Sequence, residues 1–196
     1  MHPVDAAFEA TPRRDFLPPG VRSRESYDGP LAIAAGQTNS QPRTVDDMLR
    51  LLDVRPGQRV LDVGAGSGWT TALLAHLVGP EGDVTGVEVV PELVEFGRSN
   101  LARLDLDPER VRVEQALPDV LGWPARAPYD RILVSAEAHE VPEALVDQLA
   151  DDGRMVAPVA GYLCVVTLGP GREVQVRRLG RYRFVPLRTP PRPASR

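Results

Sequence analysis

The stretch Arg59-Val-Leu-Asp-Val-Gly-Ala-Gly-Ser-Gly68 joins an apolar run to three closely spaced glycines. The run from Arg59 to Val63 is typical of a buried strand. Gly64, Gly66 and Gly68 allow a tight turn and bring the backbone close to a ligand without side-chain obstruction. Residues 69–78 then have a helical pattern. The stretch therefore predicts a strand, a glycine loop and a helix, the first unit of an open α/β sheet.

The same alternation continues along the chain. It predicts further strands at 83–89, 111–115, 130–136 and 153–159, and helices at 91–104 and 142–150. Such spacing implies right-handed crossovers and a mainly parallel, doubly wound sheet. Residues 162–168 and 173–179 flank a Gly-Pro-Gly turn. They predict an antiparallel C-terminal hairpin that closes one edge of the sheet.

The first forty residues are rich in turn formers and predict short helical and extended pieces that cover the later core. An amphipathic helix follows, and its apolar residues recur at helical spacing: Val45, Met48, Leu49 and Leu52. Thr44 and Asp47 are expected to form a capping box at its start. Because no repeat or linker is visible, we expect one domain over 1–188, with a covering segment at 1–42 and a disordered tail at 189–196.

Composition excludes several classes of protein. The 196 residues are 42% hydrophobic and 26% charged, as in ordinary globular proteins. No apolar run approaches the roughly 20 residues of a membrane helix, and no apolar leader is visible, so we expect a cytoplasmic protein without a membrane partner. The net charge of −4 argues against nucleic acid as a partner. Cys164 is the only cysteine, so neither an internal disulfide nor a metal cluster is expected.

The glycine loop has two acidic neighbours that indicate its ligand. Glu88 follows Gly68 by 20 residues, at the end of the second strand, where a carboxylate can accept hydrogen bonds from ribose hydroxyls. A dinucleotide fingerprint would require glycine at position 69, which is Trp69. Asp62 would also face a pyrophosphate unfavourably, whereas it suits the ammonium of a methionine moiety. The pattern favours S-adenosylmethionine over a dinucleotide; a glycine turn without a ligand is the third alternative.

Stretches outside the loop resemble the protein-L-isoaspartate O-methyltransferase family. Gly36-Gln-Thr-Asn-Ser-Gln-Pro42 is similar to its diagnostic Gly-Gln-Thr-Ile-Ser-x-Pro segment. Residues 7–18 are similar to its N-terminal motif and Phe184-Val-Pro-Leu187 to its closing motif. The matches occur in the family's order and cover nearly the whole chain. The resemblance implies a Rossmann-like class I methyltransferase fold.

The resemblance also implies an activity. Such enzymes transfer a methyl group from S-adenosyl-L-methionine to the carboxylate of an isoaspartyl residue in a protein or peptide, leaving S-adenosyl-L-homocysteine. The ester then collapses to a succinimide, which hydrolyses partly to normal aspartate. Because a carboxylate is ionised at neutral pH, this chemistry needs no general base. It needs in-line placement and removal of water from the nucleophile. We expect the enzyme to be a monomer.

By the same resemblance, Ser40 is the active-site serine that orients the acceptor carboxylate. Its alternative role is a capping serine ahead of the helix. The residues expected to bind the cofactor are Thr38, Asn39, Asp62, Gly64, Ala65, Gly66, Gly68, Glu88, Val89, Leu117 and Asp119. The residues expected at the substrate are Ser40, Gln41, Ser135, Glu137 and His139.

The chain departs from the family pattern mainly on the acceptor side. Residues 116–119 replace the usual Gly-Asp-Gly, so either Asp119 recovers the contact with adenine or apolar packing holds the ring. Glu137 stands where a small residue is usual; it either repels a carboxylate substrate or faces solvent or an arginine. His139 is expected to be a surface histidine. Cys164, where glutamine is frequent, is expected to be core packing.

These departures leave two alternatives to general protein repair. One is an aspartyl or isoaspartyl O-methyltransferase dedicated to a peptide natural-product pathway. The other is a non-catalytic protein that still binds S-adenosylmethionine. An RNA methyltransferase is disfavoured by the acidic balance and by the lack of a basic, aromatic-rich stripe.

Overall fold

The structure is a computed structural model that describes residues 1–189, so all but the first residue of the predicted disordered tail lie outside it. The α-helices are α1 Pro3–Ala10, α2 Pro42–Leu52, α3 Trp69–Val78, α4 Pro91–Leu101 and α5 Glu143–Val146. The strands are β1 Leu31–Ala32, β2 Thr38–Asn39, β3 Arg59–Val63, β4 Asp83–Glu88, β5 Val111–Gln115, β6 Tyr129–Val134, β7 Leu149–Val159, β8 Tyr162–Leu168 and β9 Val174–Arg181. Short 3-10 helices lie at Arg13–Phe16, Pro19–Arg24, Pro124–Arg126 and Pro170–Arg172.

Seven strands form one sheet in the order β5-β4-β3-β6-β7-β8-β9. The first five strands of that order pair in parallel, and β8 and β9 add antiparallel at one edge. The predicted fold class is therefore confirmed. Four of the five residues of the central strand β3, Val60 to Val63, are buried, as expected for a parallel strand with helices on both faces of the sheet.

Apolar side chains cover both faces of the sheet. On one face, α1, α2, α3 and α4 pack around Leu73, Leu74 and Val60. The four apolar residues predicted to form one face of α2 are all buried there. On the other face, Tyr129, Ile132 and Leu145 form the centre of a second cluster. Cys164 lies fully buried in this second cluster, as predicted.

The N-terminal segment covers α3 and the start of the glycine loop. Phe8 of α1 meets Trp69 edge to face, with ring centroids 5.5 Å apart. The Trp69 indole Nε1 donates to the Thr11 carbonyl at 3.1 Å. The residue that excluded a dinucleotide fingerprint therefore anchors the covering segment to the sheet.

Three local predictions were wrong at helix ends, and the first is the helix predicted at 91–104, which ends at Leu101. The helix predicted at 142–150 spans only Glu143–Val146, because Gln148 leaves the helical path and Leu149 pairs with Tyr129 at the start of β7. The buried Gln148 side chain instead holds the preceding loop, donating to the Leu121 carbonyl at 2.8 Å.

The capping box is also absent. The N-cap of α2 is Gln41, without a side-chain capping bond, and the Thr44 hydroxyl donates to the Gln41 side chain at 3.2 Å. Ser40 therefore does not cap α2, which removes the structural alternative for this residue. None of the helices in residues 1–189 has the length and apolar character needed to cross a bilayer.

Candidate active site

The carboxyl ends of β3, β4 and β6 meet at one edge of the sheet. The Gly64 amide donates to the Val87 carbonyl and the Ser135 amide to the Val63 carbonyl, each at 2.8 Å. These bonds fix the loops after β3, β4 and β6 beside one another. Ligands of open parallel sheets bind at this edge.

The glycine loop after β3 needs its glycines for two reasons. Gly64, Gly66 and Gly68 have φ values of +85°, +53° and +81°, in the left-handed region that disfavours other residues. A Cβ on Gly68 would also lie 3.2 Å from the Gly97 carbonyl oxygen in α4. The loop therefore turns sharply and packs backbone to backbone against a neighbouring helix.

An open cleft lies above this loop, with an empty volume of about 780 Å³ that includes space open to solvent. A smaller cavity continues beneath the loop and shares part of the cleft lining, namely Thr38, Ser40, Gly64, Gly66 and Ser135. The two spaces thus meet between the Gly36–Ser40 segment, the glycine loop and the end of β6.

Glu88 lies at the end of β4 and lines the cleft, although only 6% of it is exposed. Its Oε1 accepts the amides of Val89 and Val90 at 2.7 and 2.9 Å, and its Oε2 accepts the Gly66 amide at 2.9 Å. These backbone donors hold the carboxylate in one orientation between the glycine loop and the cleft. Oε2, which accepts only one of these amides, retains acceptor capacity for a ligand hydroxyl.

Asp62 lies below the loop, fully buried, and does not line the cleft. Its Oδ2 accepts the hydroxyls of Thr70 and Thr71, both at 2.7 Å. Burial raises the pKa of Asp62 to about 6, against the two threonine hydrogen bonds that lower it. The prediction placed Asp62 directly against the ligand. In the structure its carboxylate instead lies beneath the glycine loop, bound to the two threonine hydroxyls.

Ser40 lies where the cleft and the smaller cavity meet. The hydroxyl of this half-buried residue has no hydrogen-bond partner within residues 1–189. Thr38 lines both spaces, whereas Asn39 is buried and its Nδ2 donates to the Ser67 hydroxyl at 3.1 Å. The Gly36–Ser40 segment thus presents a free hydroxyl while Asn39 ties it to the glycine loop.

A buried arginine organises this segment. The Arg13 guanidinium donates to the Asn39 side-chain oxygen at 2.7 Å and to the carbonyls of Asn39 and Ser40 at 3.1 and 2.8 Å. It also donates to the carbonyls of Tyr27 and Gly29, at 2.8 and 2.9 Å. Burial lowers the pKa of Arg13 to about 10. Since an arginine of that pKa stays charged at neutral pH, its donors hold this backbone permanently.

Arg13 is a functional candidate that the sequence reasoning missed. No local pattern shows that Arg13 is buried while the adjacent Arg14 is exposed. Its position after proline in the N-terminal family motif was the only available signal.

The predicted substrate residues are not all brought to the cleft. Ser135 lines it, but Gln41 does not, and the Gln41 Nε2 donates to the Asp28 carbonyl at 3.1 Å. Glu137 is half-buried outside the cleft lining, and His139 is exposed. Only Ser40 and Ser135 of this predicted set therefore lie at the cleft.

Glu137 acts through its backbone. Its amide donates to the Val185 carbonyl at 2.7 Å and its carbonyl accepts the Leu187 amide at 2.8 Å. This short parallel pairing holds residues 185–188 as a strap along the cleft. The strap was not predicted as part of the site, although its closing motif was recognised.

On the side where adenine is predicted to bind, some residues of the segment after β5 line the cleft and others do not. Ala116, Val120, Leu121 and Gly122 line the cleft, whereas Leu117 is 46% exposed and does not. Asp119 has a φ of +56° and also lies outside the lining. The wall of the cleft on this side is therefore mainly apolar.

The remaining predicted cofactor residues lie on the loops around the cleft. Val89 lines the cleft beside Glu88, and Ala65 lines the cavity beneath the loop. Gly68 lies at the start of α3, behind both spaces. The cleft and the smaller cavity thus present one carboxylate, several backbone amides and hydroxyls, an apolar wall and, in the strap, Arg188.

Comparisons with known proteins match this architecture. The family model described as Protein-L-isoaspartate(D-aspartate) O-methyltransferase matches residues 2–190. The chain is 45% identical over 190 residues to the Protein-L-isoaspartate O-methyltransferase of Methanopyrus kandleri, covering 94% of this chain and 82% of that protein. It is 46% identical over 189 residues to the protein of the same name from Methanothrix thermoacetophila, covering 94% and 87%.

Solved structures give the same result. A Plasmodium falciparum protein described as a beta-aspartate methyltransferase, in complex with S-adenosyl-L-homocysteine, superposes with a TM-score of 0.83 at 28% identity, over 96% of this chain and 91% of that one. A second structure, of a protein-L-isoaspartate O-methyltransferase, has a TM-score of 0.81 at 26% identity. It covers 95% of this chain but 61% of the other.

Proposed function

The chain belongs to the protein-L-isoaspartate(D-aspartate) O-methyltransferase family, and on that premise we propose that it methylates the carboxylate of isoaspartyl residues in proteins or peptides, with S-adenosyl-L-methionine as the methyl donor. The observation that carries the proposal is Ser40. Its hydroxyl is free of partners within the described chain and lies where the cleft meets the cavity under the glycine loop.

The residues around the cleft fit the cofactor. Glu88 offers its Oε2 as an acceptor suited to a ribose hydroxyl, and the apolar wall at Val120 and Leu121 suits an adenine ring. The buried carboxylate of Asp62 provides negative charge beneath the loop, where the methionine ammonium would gain from it. When bound, S-adenosyl-L-methionine supplies an electrophilic methyl group on a sulfonium.

The chain's own contribution is placement of the acceptor. The Ser40 hydroxyl can donate one hydrogen bond to the isoaspartyl carboxylate and so orient its second oxygen toward the methyl carbon. A new oxygen–carbon bond forms while the carbon–sulfur bond breaks and its electron pair stays on sulfur. Because the carboxylate is already ionised, Ser40 need not remove a proton.

The methyl ester then reacts without further help from the enzyme. The backbone amide nitrogen that follows the residue attacks the ester carbonyl, methanol leaves, and a succinimide forms. Water opens this ring, in part to normal aspartate. The enzyme's task ends with the ester.

A matched pair of peptides that differ only in an isoaspartyl or aspartyl residue tests the proposal. We expect labelled methyl transfer from S-adenosyl-L-methionine to the isoaspartyl peptide and not to its aspartyl partner. A thermal shift with S-adenosyl-L-homocysteine shows independently that the cleft is intact. Cofactor binding without transfer to either peptide would contradict general repair and favour a dedicated peptide substrate or a non-catalytic role.

We also propose that the protein acts in the cytoplasm as a monomer, without nucleic acid or membrane partners. A single buried thiol, Cys164, suits a reducing compartment. Light scattering of the purified chain at micromolar concentration tests the oligomeric state. A mass of twice the monomer value would contradict this part of the proposal.

A further inference from the structure

Charge is distributed unevenly along the chain. Residues 169–189 contain six arginines and one glutamate, a formal charge of +5. Residues 1–168 contain 15 arginines and 26 acidic residues, a formal charge of −11. A protein that is acidic overall therefore has one strongly basic segment, which contains β9 and the strap.

Most arginines of this segment also differ from the others in their partners. Arg172, before β9, pairs with Asp151. Within residues 1–189 the other five make no ion pair with a carboxylate, whereas arginines on the rest of the surface commonly do. All five are exposed. We call them the arginine strip: Arg177, Arg178, Arg181, Arg183 and Arg188.

The arginine strip leads to the cleft. Arg188 lines the cleft, and the strap that carries it is hydrogen-bonded to Glu137 beside the predicted acceptor position. Arg181 stacks on the Tyr162 ring at 5.2 Å and its Nη2 donates to the Tyr162 hydroxyl at 3.1 Å. Tyr162 is the first residue of β8, at the end of the sheet where Ala138 bridges to Val159.

Strand β9 is suited to an extended partner. It is the last strand of the sheet, so one of its edges has no neighbouring strand among the described residues. Val174 and Val176 are 44% and 43% exposed on the strand that also carries Arg177 and Arg178. Extended peptides bind such edges through backbone hydrogen bonds, and alternating side chains give specificity.

We propose that the arginine strip binds acidic residues of the protein substrate, at positions flanking the isoaspartyl residue held in the cleft. This inference rests on the proposed function and specifies its substrate class: isoaspartyl sites in acidic, extended segments. Charge complementarity favours an acidic polypeptide, since five guanidiniums that have no carboxylate partner within residues 1–189 attract acidic flanks and repel basic ones.

The test uses three isoaspartyl peptides with the same core and acidic, neutral or basic flanks on both sides. We expect kcat/KM for the acidic peptide to exceed that for the basic peptide by about tenfold at low salt, through KM. The difference should shrink in 0.5 M NaCl, because exposed charges are screened. The variant R177E/R183E alters two side chains that make no hydrogen bond or ion pair within residues 1–189, and it should bring the ratio close to one or invert it.

The matched control is R55E/R110E, which changes the net charge equally. It alters the exposed Arg55 and the half-buried Arg110, which pair with Asp53 and Glu81 at the opposite, amino-terminal end of the parallel strands. We expect this control to retain the preference for acidic flanks. An equal loss of preference in both variants would overturn the proposal, because net charge rather than the strip would then explain it.

A binding measurement separates this proposal from the proposed function. Fluorescence anisotropy of the same three peptides, with S-adenosyl-L-homocysteine present, needs no turnover. Acidic-flank binding that the R177E/R183E variant loses would support the strip even if no peptide were methylated. Equal binding of all three peptides, or tighter binding of a single-stranded oligonucleotide than of the acidic peptide, would overturn it.

Discussion

At Ser40 the local sequence and the tertiary structure give different information. A serine directly before a helix is a common capping residue, but here Gln41 occupies the N-cap and makes no side-chain cap. The Ser40 hydroxyl instead faces the junction of the cleft and the cavity below the loop. Its backbone is fixed by Arg13, while its hydroxyl makes no hydrogen bond to any residue from 1 to 189.

We expect Ser40→Ala to lower kcat/KM for an isoaspartyl peptide by roughly 10- to 100-fold. This is the loss of one hydrogen bond to a charged group, about 1.5–3 kcal/mol. Affinity for S-adenosyl-L-homocysteine, measured by calorimetry, should stay within a factor of about three. Ser40→Thr keeps a hydroxyl and serves as the conservative control. Full activity of the alanine variant would exclude the orienting role.

The neighbours Arg13 and Arg14 form a natural pair for comparison, because the first is buried and the second is exposed. Arg13→Met would leave several buried carbonyls without donors, and each costs about 1–3 kcal/mol. We expect a loss of at least about 3 kcal/mol in the free energy of unfolding by urea denaturation. Arg14→Met should change it by less than about 0.5 kcal/mol. Similar values for both variants would contradict the organising role of Arg13.

Asp62 makes stability depend on pH. Its folded pKa of about 6 lies above its ordinary value of 3.8, so the folded state binds more protons between these values. Stability from this group is therefore present below pH 3.8 and is lost as pH rises through 6. Relative to Asp62→Asn, which can still accept the threonine hydrogen bonds, the wild type should lose about 2 kcal/mol between pH 4.5 and 7.5. A pH-independent difference, measured by urea denaturation at both pH values, would be incompatible with a raised pKa.

At the scale of elements, secondary structure was predicted well where a short stretch of sequence is enough to specify it. Strands β3 and β5 and helix α3 were predicted with their observed bounds, because short apolar runs between glycine, proline and polar residues specify them. Helix α5 was predicted too long, since apolar residues at 145, 146 and 149 mimic a helical face. The buried side chain of Gln148, which is paired with the loop before β6, decides the helix end, and no local pattern reveals such a distant contact.

The candidate site was likewise predictable where it consists of contiguous motifs and not where it depends on distant contacts. The glycine loop, Glu88 and the Gly36–Ser40 segment are contiguous motifs, and the structure brings them to one edge of the sheet. The strap at 185–188 reaches the cleft only because β8 and β9 return the chain to that edge and Glu137 pairs with it. A contact between residues almost fifty positions apart leaves no periodic trace in the sequence.

The contact between the glycine loop and α4 can be tested with two glycines of nearly equal φ. Gly57 has a φ of +80° and open space where a Cβ would stand, whereas Gly68 has a φ of +81° and the Gly97 backbone nearby. Gly57→Ala should cost about 1–2 kcal/mol for the left-handed backbone alone. Gly68→Ala should cost clearly more in urea denaturation and should weaken binding of S-adenosyl-L-homocysteine. Equal costs would show that the close approach is unimportant.

At the scale of the whole molecule, the cleft is assembled from both ends of the chain. The N-terminal segment supplies Arg13 and Ser40, the central sheet supplies the glycine loop and Glu88, and the C-terminal strap supplies one wall. A carboxylate nucleophile requires the removal of water, to which walls from three parts of the chain contribute. The antiparallel edge strands are therefore part of the site as well as of the sheet.

This assembly predicts different effects for two truncations. A chain that ends at Arg183 keeps β9 and the Tyr182 hydroxyl, which donates to Asp47 at 2.8 Å, but loses the strap. We expect it to retain its secondary structure by circular dichroism and to bind S-adenosyl-L-homocysteine at least tenfold more weakly. A chain that ends at Thr189 keeps every described residue of the cleft lining, which ends at Arg188, and should bind as the full chain does. If the shorter chain bound the product with full affinity, the strap would not be a wall of the cofactor site and its pairing with Glu137 would serve the fold alone.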